Sequence, residues 1–123
     1  MPITYRVDRE KWLIFESWVG VVGADDLAAY WTQYLTDADV LKIRRTIVDL
    51  RGAIITFNGD DLRFLVDSLV RPKLSNLKWK TAIVVTGGSV EFGVSRQYQV
   101  FAGHYSTDSI FENLEDADNW ICS

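Results

Sequence analysis

The stretch from Arg44 to Gly52, RRTIVDLRG, runs almost directly into Asn58 to Val70, NGDDLRFLVDSLV. Ile47 and Val48 are adjacent and apolar, the pattern of a short strand (Thr46 to Leu50) buried on both faces. The strand approaches Asp49 and is read as turning through Arg51-Gly52. Asn58 is a good N-cap. Behind it, Leu62, Leu65, Val66, Leu69 and Val70 fall at i, i+3, i+4, i+7 and i+8, one face of a helix. Arg71-Pro72 is read as its end, because proline removes a donor and crowds the preceding turn. A doubly buried strand leading into a capped amphipathic helix is the working unit of a parallel α/β sheet. That pair of segments constrains the fold more than anything else in the chain.

The flanking segments agree with it. Ile3, Tyr5 and Val7 alternate with Thr4, Arg6 and Asp8, a half-buried strand. Asp8 to Lys11 is a polar turn, and Trp12 to Val19 a second strand, so the two form a hairpin. Gly23-Ala24-Asp25-Asp26 opens a helix with acids at its positive end. Leu27, Trp31 and Leu35 line one face of that helix, widened by Tyr30 and Tyr34. Thr36 to Val40 reads as a polar exit. Trp79 to Val85, containing AIVV, is a further strand, and Thr86 to Ser89 is a turn into a helix marked by Val94, Tyr98, Phe101 and Tyr105. A short strand at Ser109 to Phe111 and a helix carrying Leu114, Ala117, Trp120 and Ile121 close the chain. The order β-β-α-β-α-β-α-β-α predicts one α/β domain over residues 1–123. Its five-stranded mixed, mostly parallel sheet is joined by right-handed crossovers and carries four helices.

Composition narrows the function. A net charge of −4 opposes nonspecific nucleic-acid binding, which needs a basic surface. No apolar run reaches the ~20 residues of a membrane span. The N-terminus lacks the pattern of a secretory signal, and the single Cys122 cannot close an internal disulfide. Together these predict a cytoplasmic protein.

The segments IVDLRG (Ile47 to Gly52), AIVV (Ala82 to Val85), FGVSRQYQVFAG (Phe92 to Gly103) and IFENLEDADNWI (Ile110 to Ile121) resemble, in order and spacing, the SpoIIAA-like, STAS-type domains. The likeness is greater to a little-characterised branch of small bacterial proteins than to the anti-sigma antagonists. The resemblance implies sequential strand order, helices chiefly on one face and a binding or regulatory role, and some relatives are compared with CRAL-TRIO lipid-binding domains. STAS phosphoproteins carry Asp-Ser-Ser-Gly at the start of the second helix, where this chain has Asn58-Gly59-Asp60-Asp61. Gly59 has no hydroxyl, and Thr56 lies two residues before the cap, so the phosphorylation switch does not carry over. Asp60 either imitates a phosphorylated state or simply stabilises the helix start, and the second reading is preferred.

Two strand ends offer a place for a small anion. Asp49 and Arg51 lie on one side, and the Gly87-Gly88-Ser89 turn, with free backbone N–H groups at a helix start, on the other. The structural alternative is that Asp49 caps a turn and the glycines permit a tight connection. Arg96 either reaches a pocket or pairs on the surface with Glu91 or Asp108. His104 has no partner set for catalysis or a metal, and Cys122 has no basic neighbour in sequence to activate it. No catalytic constellation, cofactor site or metal site is read. The aromatic residues, sixteen in all, fill the core, with a minority available for a ligand pocket or a subunit contact. With helices mostly on one side, the far face of AIVV needs a cover, which a homodimer or a lipid-like ligand would supply.

The leading expectation is therefore a non-enzymatic interaction or regulatory module, with a protein partner at Asn58 to Leu65 and Arg51-Gly52 and a homodimer in prospect. The alternative is a carrier or sensor of a small apolar or anionic ligand.

Overall fold

A computed structural model of the chain describes residues 2–74, 77–103 and 105–123. Five strands form one sheet in the sequential order β1-β2-β3-β4-β5. They are β1 (Ile3–Asp8), β2 (Leu13–Val22), β3 (Arg45–Ile55), β4 (Trp79–Val84) and β5 (Ser106–Phe111). β1 pairs antiparallel with β2 through the hairpin, and the other neighbours pair in parallel. In the hairpin turn, Asp8 Oδ1 accepts the N–H groups of Glu10 and Lys11, both at 3.0 Å. Trp12 belongs to this turn rather than to the strand, with a left-handed φ of 56° and the residue 43% exposed.

The helices are α1 (Ala24–Tyr34), α2 (Ala38–Ile43), α3 (Gly59–Leu65), α4 (Arg71–Leu74), α5 (Val90–Ala102) and α6 (Leu114–Ile121). A π-helical turn, Val66–Val70, joins α3 to α4, so these form one rod. Among the described residues, five rods thus replace the four expected. The addition is α2, within what reads as a polar exit: Asp37 caps it by accepting from Asp39 N and Val40 N, and buried Val40 and Ile43 anchor it. The rod through α3 also runs past Arg71-Pro72 to Leu74 rather than stopping there. Proline sits one residue into α4, just after a widened turn where its clash with the preceding helix is relieved.

β3 is longer than its sequence suggests, and Arg51-Gly52 is not a turn. Between the pairs Ser17–Asp49 and Val19–Gly52, β3 advances three residues while β2 advances two. The extra residue is a β-bulge, which inverts the in–out alternation beyond it. Thr46 and Leu50 are buried before the bulge, Ala53 and Ile55 after it.

α1, α2, the α3–α4 rod and α5 share the large apolar cluster on one face, here called the front. α6 packs on the back, where Ala117 and Ile121 meet Leu13, Ile47, Ala82 and Val84. The far face of AIVV is therefore covered from within the chain, and it needs no second subunit. Two cations hold α6 by its carboxyl end. Arg45 donates to the carbonyls of Ile121 (3.1 Å), Trp12 (3.0 Å) and Lys11 (2.8 Å). Lys80, its partner in register, donates to Trp120 O at 2.8 Å with its ammonium 4.5 Å from the Trp120 ring centre. Positive groups at a helix carboxyl end meet both the free carbonyls and the dipole.

Candidate functional site

Between the front helices and the sheet lies a cavity of about 80 Å³. Its wall is mainly apolar: Leu27 and Trp31 from α1, Leu62, Val70 and Leu74 from the long rod, Trp18, Leu50 and Ile83 from the sheet. The bulky aromatic residues that sequence reasoning divided between core and pocket do both, since Trp18, Trp31, Tyr34 and Trp79 are buried and also line this space. A volume of this size accepts several waters or a compact organic group, and is smaller than the ~150 Å³ apolar cavity that takes up benzene.

The polar part of the wall is small and specific. Glu16, 6% exposed, lies on the front side of β2 and lines the cavity. Its Oε1 accepts from Tyr30 Oη at 2.6 Å and its Oε2 from Trp18 Nε1 at 2.7 Å. Burial pushes the Glu16 carboxyl above its usual range, and the two donors oppose that shift. No cation among the described residues forms an ion pair with it. Beside it, the Tyr34 and Thr46 hydroxyls share a hydrogen bond of 2.9 Å.

Thr81, Ser95 and Tyr98 add further hydroxyls to the lining. Ser95 Oγ donates to Glu91 O at 2.8 Å, and Tyr98 Oη lies 3.4 Å from Tyr105 Oη. Asp108 stands opposite Thr81 in the β4–β5 register. One of its carboxylate oxygens accepts from Ser106 Oγ at 2.5 Å, while Oδ2 is buried with no hydrogen-bond partner among the described residues. Burial raises its pKa to about 6.

The residues singled out from the sequence lie elsewhere. Asp49 and Arg51 form an ion pair at 3.0 Å, and Asp49 Oδ1 also accepts the Arg51 backbone N–H at the bulge. The Arg51 guanidinium holds the Asp49 carboxyl below its ordinary range. Asp49 borders a shallow hollow on the back of the sheet with Arg6, Phe15, Ser17 and Leu114. Asn58 and Asp61 form a reciprocal capping box: Asn58 Oδ1 accepts from Asp61 N at 2.9 Å, and Asp61 Oδ2 from Asn58 N at 3.2 Å. Asp60 sits in the first turn of α3, where the helix dipole accounts for it.

Gly88 has a φ of +74°, which favours glycine, and Ser89 Oγ caps α5 by accepting from Phe92 N at 3.1 Å. A side chain on Gly87 would collide with the Glu112 carboxylate, so a negative group already occupies the space beside this turn. That is the wrong charge for an anion site, and the Arg51 guanidinium meant to complete one is committed to Asp49. Arg96 is exposed and forms no ion pair among the described residues. Its expected partners are engaged otherwise: Glu91 Oε2 accepts from Ile55 N at 3.3 Å, and Asp108 from Ser106. His104 lies outside the described residues. Cys122 is exposed, with its Sγ 4.0 Å from Asp118 Oδ1.

Glu16 is the site residue that sequence reasoning missed. The signal was present: a lone acid between Phe15 and Trp18 in a strand whose other front-facing residues, Ile14, Trp18 and Val22, are apolar.

No family model matches the sequence, and no curated protein does. Among solved structures, the chain is similar to an uncharacterised protein of the DUF3478 family, with a SpoIIAA-like fold, from Shewanella loihica PV-4. The two share 19% identity with a TM-score of 0.63, over 98% of this chain and 93% of that one. The chain has the SpoIIAA-like fold. In this SpoIIAA-like domain no described helix is long and apolar enough to cross a membrane. The described residues hold no cluster of three or more His, Cys, Asp or Glu suited to a metal.

Proposed function

We propose that this SpoIIAA-like domain is a non-enzymatic carrier or sensor of a small apolar ligand, held between the sheet and the front helices. One observation carries the reading: the core contains a cavity whose apolar wall is broken by a buried carboxyl and a few hydroxyls. Sites for small molecules have this composition, a mostly apolar lining with few fixed polar groups. An anionic ligand is less well supported, because acids stand at both places where one was expected. The test is native mass spectrometry of freshly purified protein against its denatured mass. Extra mass that vanishes on denaturation supports the reading. A bare mass, together with no rise in melting temperature across a panel of small apolar compounds, defeats it.

A protein-interaction role is the second reading, favoured by exposed apolar side chains. Phe64, within the α3 segment singled out from the sequence, is 67% exposed. Val19 and Val21 on β2 and Ile54 on β3 are exposed together, with Val21 paired to Ile54. Loss of a specific pull-down after Phe64→Ser or after charge reversal at Asp60-Asp61 would support a contact at α3, and retention after both changes would remove it.

A further inference from the structure

Resting on the ligand-binding reading above, we propose that the cavity selects a compact apolar amine, with the ammonium group facing Glu16. The Glu16 carboxyl is nearly withdrawn from water and lines the cavity, yet among the described residues its only hydrogen-bond partners are two neutral donors, the Trp18 indole and the Tyr30 hydroxyl. A carboxylate has about four acceptor sites on its two oxygens, so each oxygen retains capacity after these bonds. A buried carboxylate without a cation is costly, and a charged donor is the partner that relieves it most. No described cationic side chain fills that place.

The rest of the lining sets the remainder of the ligand. Leu27, Trp31, Leu62, Val70 and Ile83 present hydrocarbon to the space, so a short aliphatic tail fits there. The volume of about 80 Å³ limits the tail to a few carbons unless the helices part. The same carboxyl repels a carboxylate or phosphate head, and the described residues pair no cation with it to offset that repulsion. The cavity is thus selective by sign: amine first, neutral alcohol second, acid last.

Three probes of matched size read this directly: propylamine, 1-propanol and propionate, titrated at constant ionic strength near pH 7. Binding is followed by the NMR shift of the Trp18 indole Nε1–H, assigned by its loss in Trp18→Phe, and by thermal melting. The expected result is propylamine binding at least tenfold more tightly than propionate, with a shift of the Trp18 N–H resonance. Glu16→Gln is expected to remove the preference for the amine over 1-propanol. If that variant does not fold, the ranking in the wild-type protein together with the Trp18 shift decides the matter alone. Propionate or 1-propanol binding as well as propylamine would overturn the charge rule and leave the ligand-binding reading standing. Failure of all three probes to move either signal would overturn both.

Discussion

Trp18 Nε1 donates to Glu16 Oε2 over 2.7 Å, although the two side chains are successive front-facing residues of one strand. The bond closes across a single pleat and turns the carboxyl of Glu16 toward the aromatic side of the core, where Tyr30 holds its other oxygen. A charged residue in a strand that faces the core is thereby made part of the core.

That arrangement sets a pH dependence. Burial raises the Glu16 pKa in the folded state, so the folded protein binds the proton more tightly than the unfolded chain. The stabilisation is full below the ordinary glutamate range and is lost as pH rises through the elevated folded value. Glu16→Gln cannot ionise, and relative to wild type it should gain stability steadily above pH ~4.3. Urea unfolding of both proteins from pH 4 to 8 checks this, and parallel curves would contradict it.

Asp108 repeats the effect on the same face, on the edge strand β5, with a folded pKa of about 6 caused by burial. Between the ordinary aspartate value of ~3.9 and this one lie about two units, or up to roughly 3 kcal/mol. Asp108→Asn should close the difference to wild type, or reverse it in the variant's favour, as pH rises from about 4 to 6, and change little beyond. Asp37 and Asp49 act in the opposite sense, since Tyr5 and Arg51 respectively lower their pKa values. Their contributions are present at neutral pH and fade in acid, so the variant-to-wild-type comparison is the informative one.

Asn58 and Asp60 separate two explanations of the α3 start. Asn58→Ala removes a side-chain acceptor from the Asp61 N–H and should cost about 1 kcal/mol. Asp60→Ala removes only an exposed charge near the helix dipole and should cost a few tenths of a kcal/mol at moderate salt. Equal losses in denaturant titrations would show that charge, not the cap, governs this helix end.

Arg45 should matter more than its half-buried position at the start of β3 suggests. Its guanidinium ties three carbonyls from the hairpin and the end of α6. Arg45→Ala is expected to cost about 2 kcal/mol, since bonds from a charged donor exceed neutral ones. Hydrogen exchange should quicken in α6 first. Arg45→Lys should not restore it, because an ammonium lacks the planar fork that spans three acceptors.

Much of the architecture was legible in the sequence, for reasons visible in particular residues. The alternation of Ile3, Tyr5 and Val7, the helical spacing from Leu62 to Val70 and the caps at Asn58 and Ser89 are local patterns, and each reappears in place. What escaped was not local. The bulge in β3 breaks the alternation at Leu50 and Arg51, so an unbroken strand imitates a strand and a turn. α2 is too short to show a period and depends on Asp37, whose carboxylate also accepts from Tyr5 on β1. The candidate anion site is less well supported because Asp49 and Arg51 lie within β3 rather than at its end and pair with each other, while Glu112 stands in the space beside Gly87. Glu16 was passed over because its partner Tyr30 is fourteen residues distant and its burial is a property of the assembled sheet.

The π turn at Val66–Val70 has a consequence for phase. Leu62, Val66, Val70 and Leu74 are spaced four apart and are all buried. In an unbroken α-helix of 3.6 residues per turn, each step of four overshoots by about 40°, and three steps would swing Leu74 roughly 120° away from Leu62. The wider turn takes back much of that rotation. It acts as a vernier, keeping one edge of a long rod trained on the sheet from end to end. Removing a single residue between Val66 and Val70 would take out the extra residue that the wide turn absorbs, leaving a regular helix in which Leu74 stands eleven residues from Leu62, about 20° from it, and still faces the space it now closes.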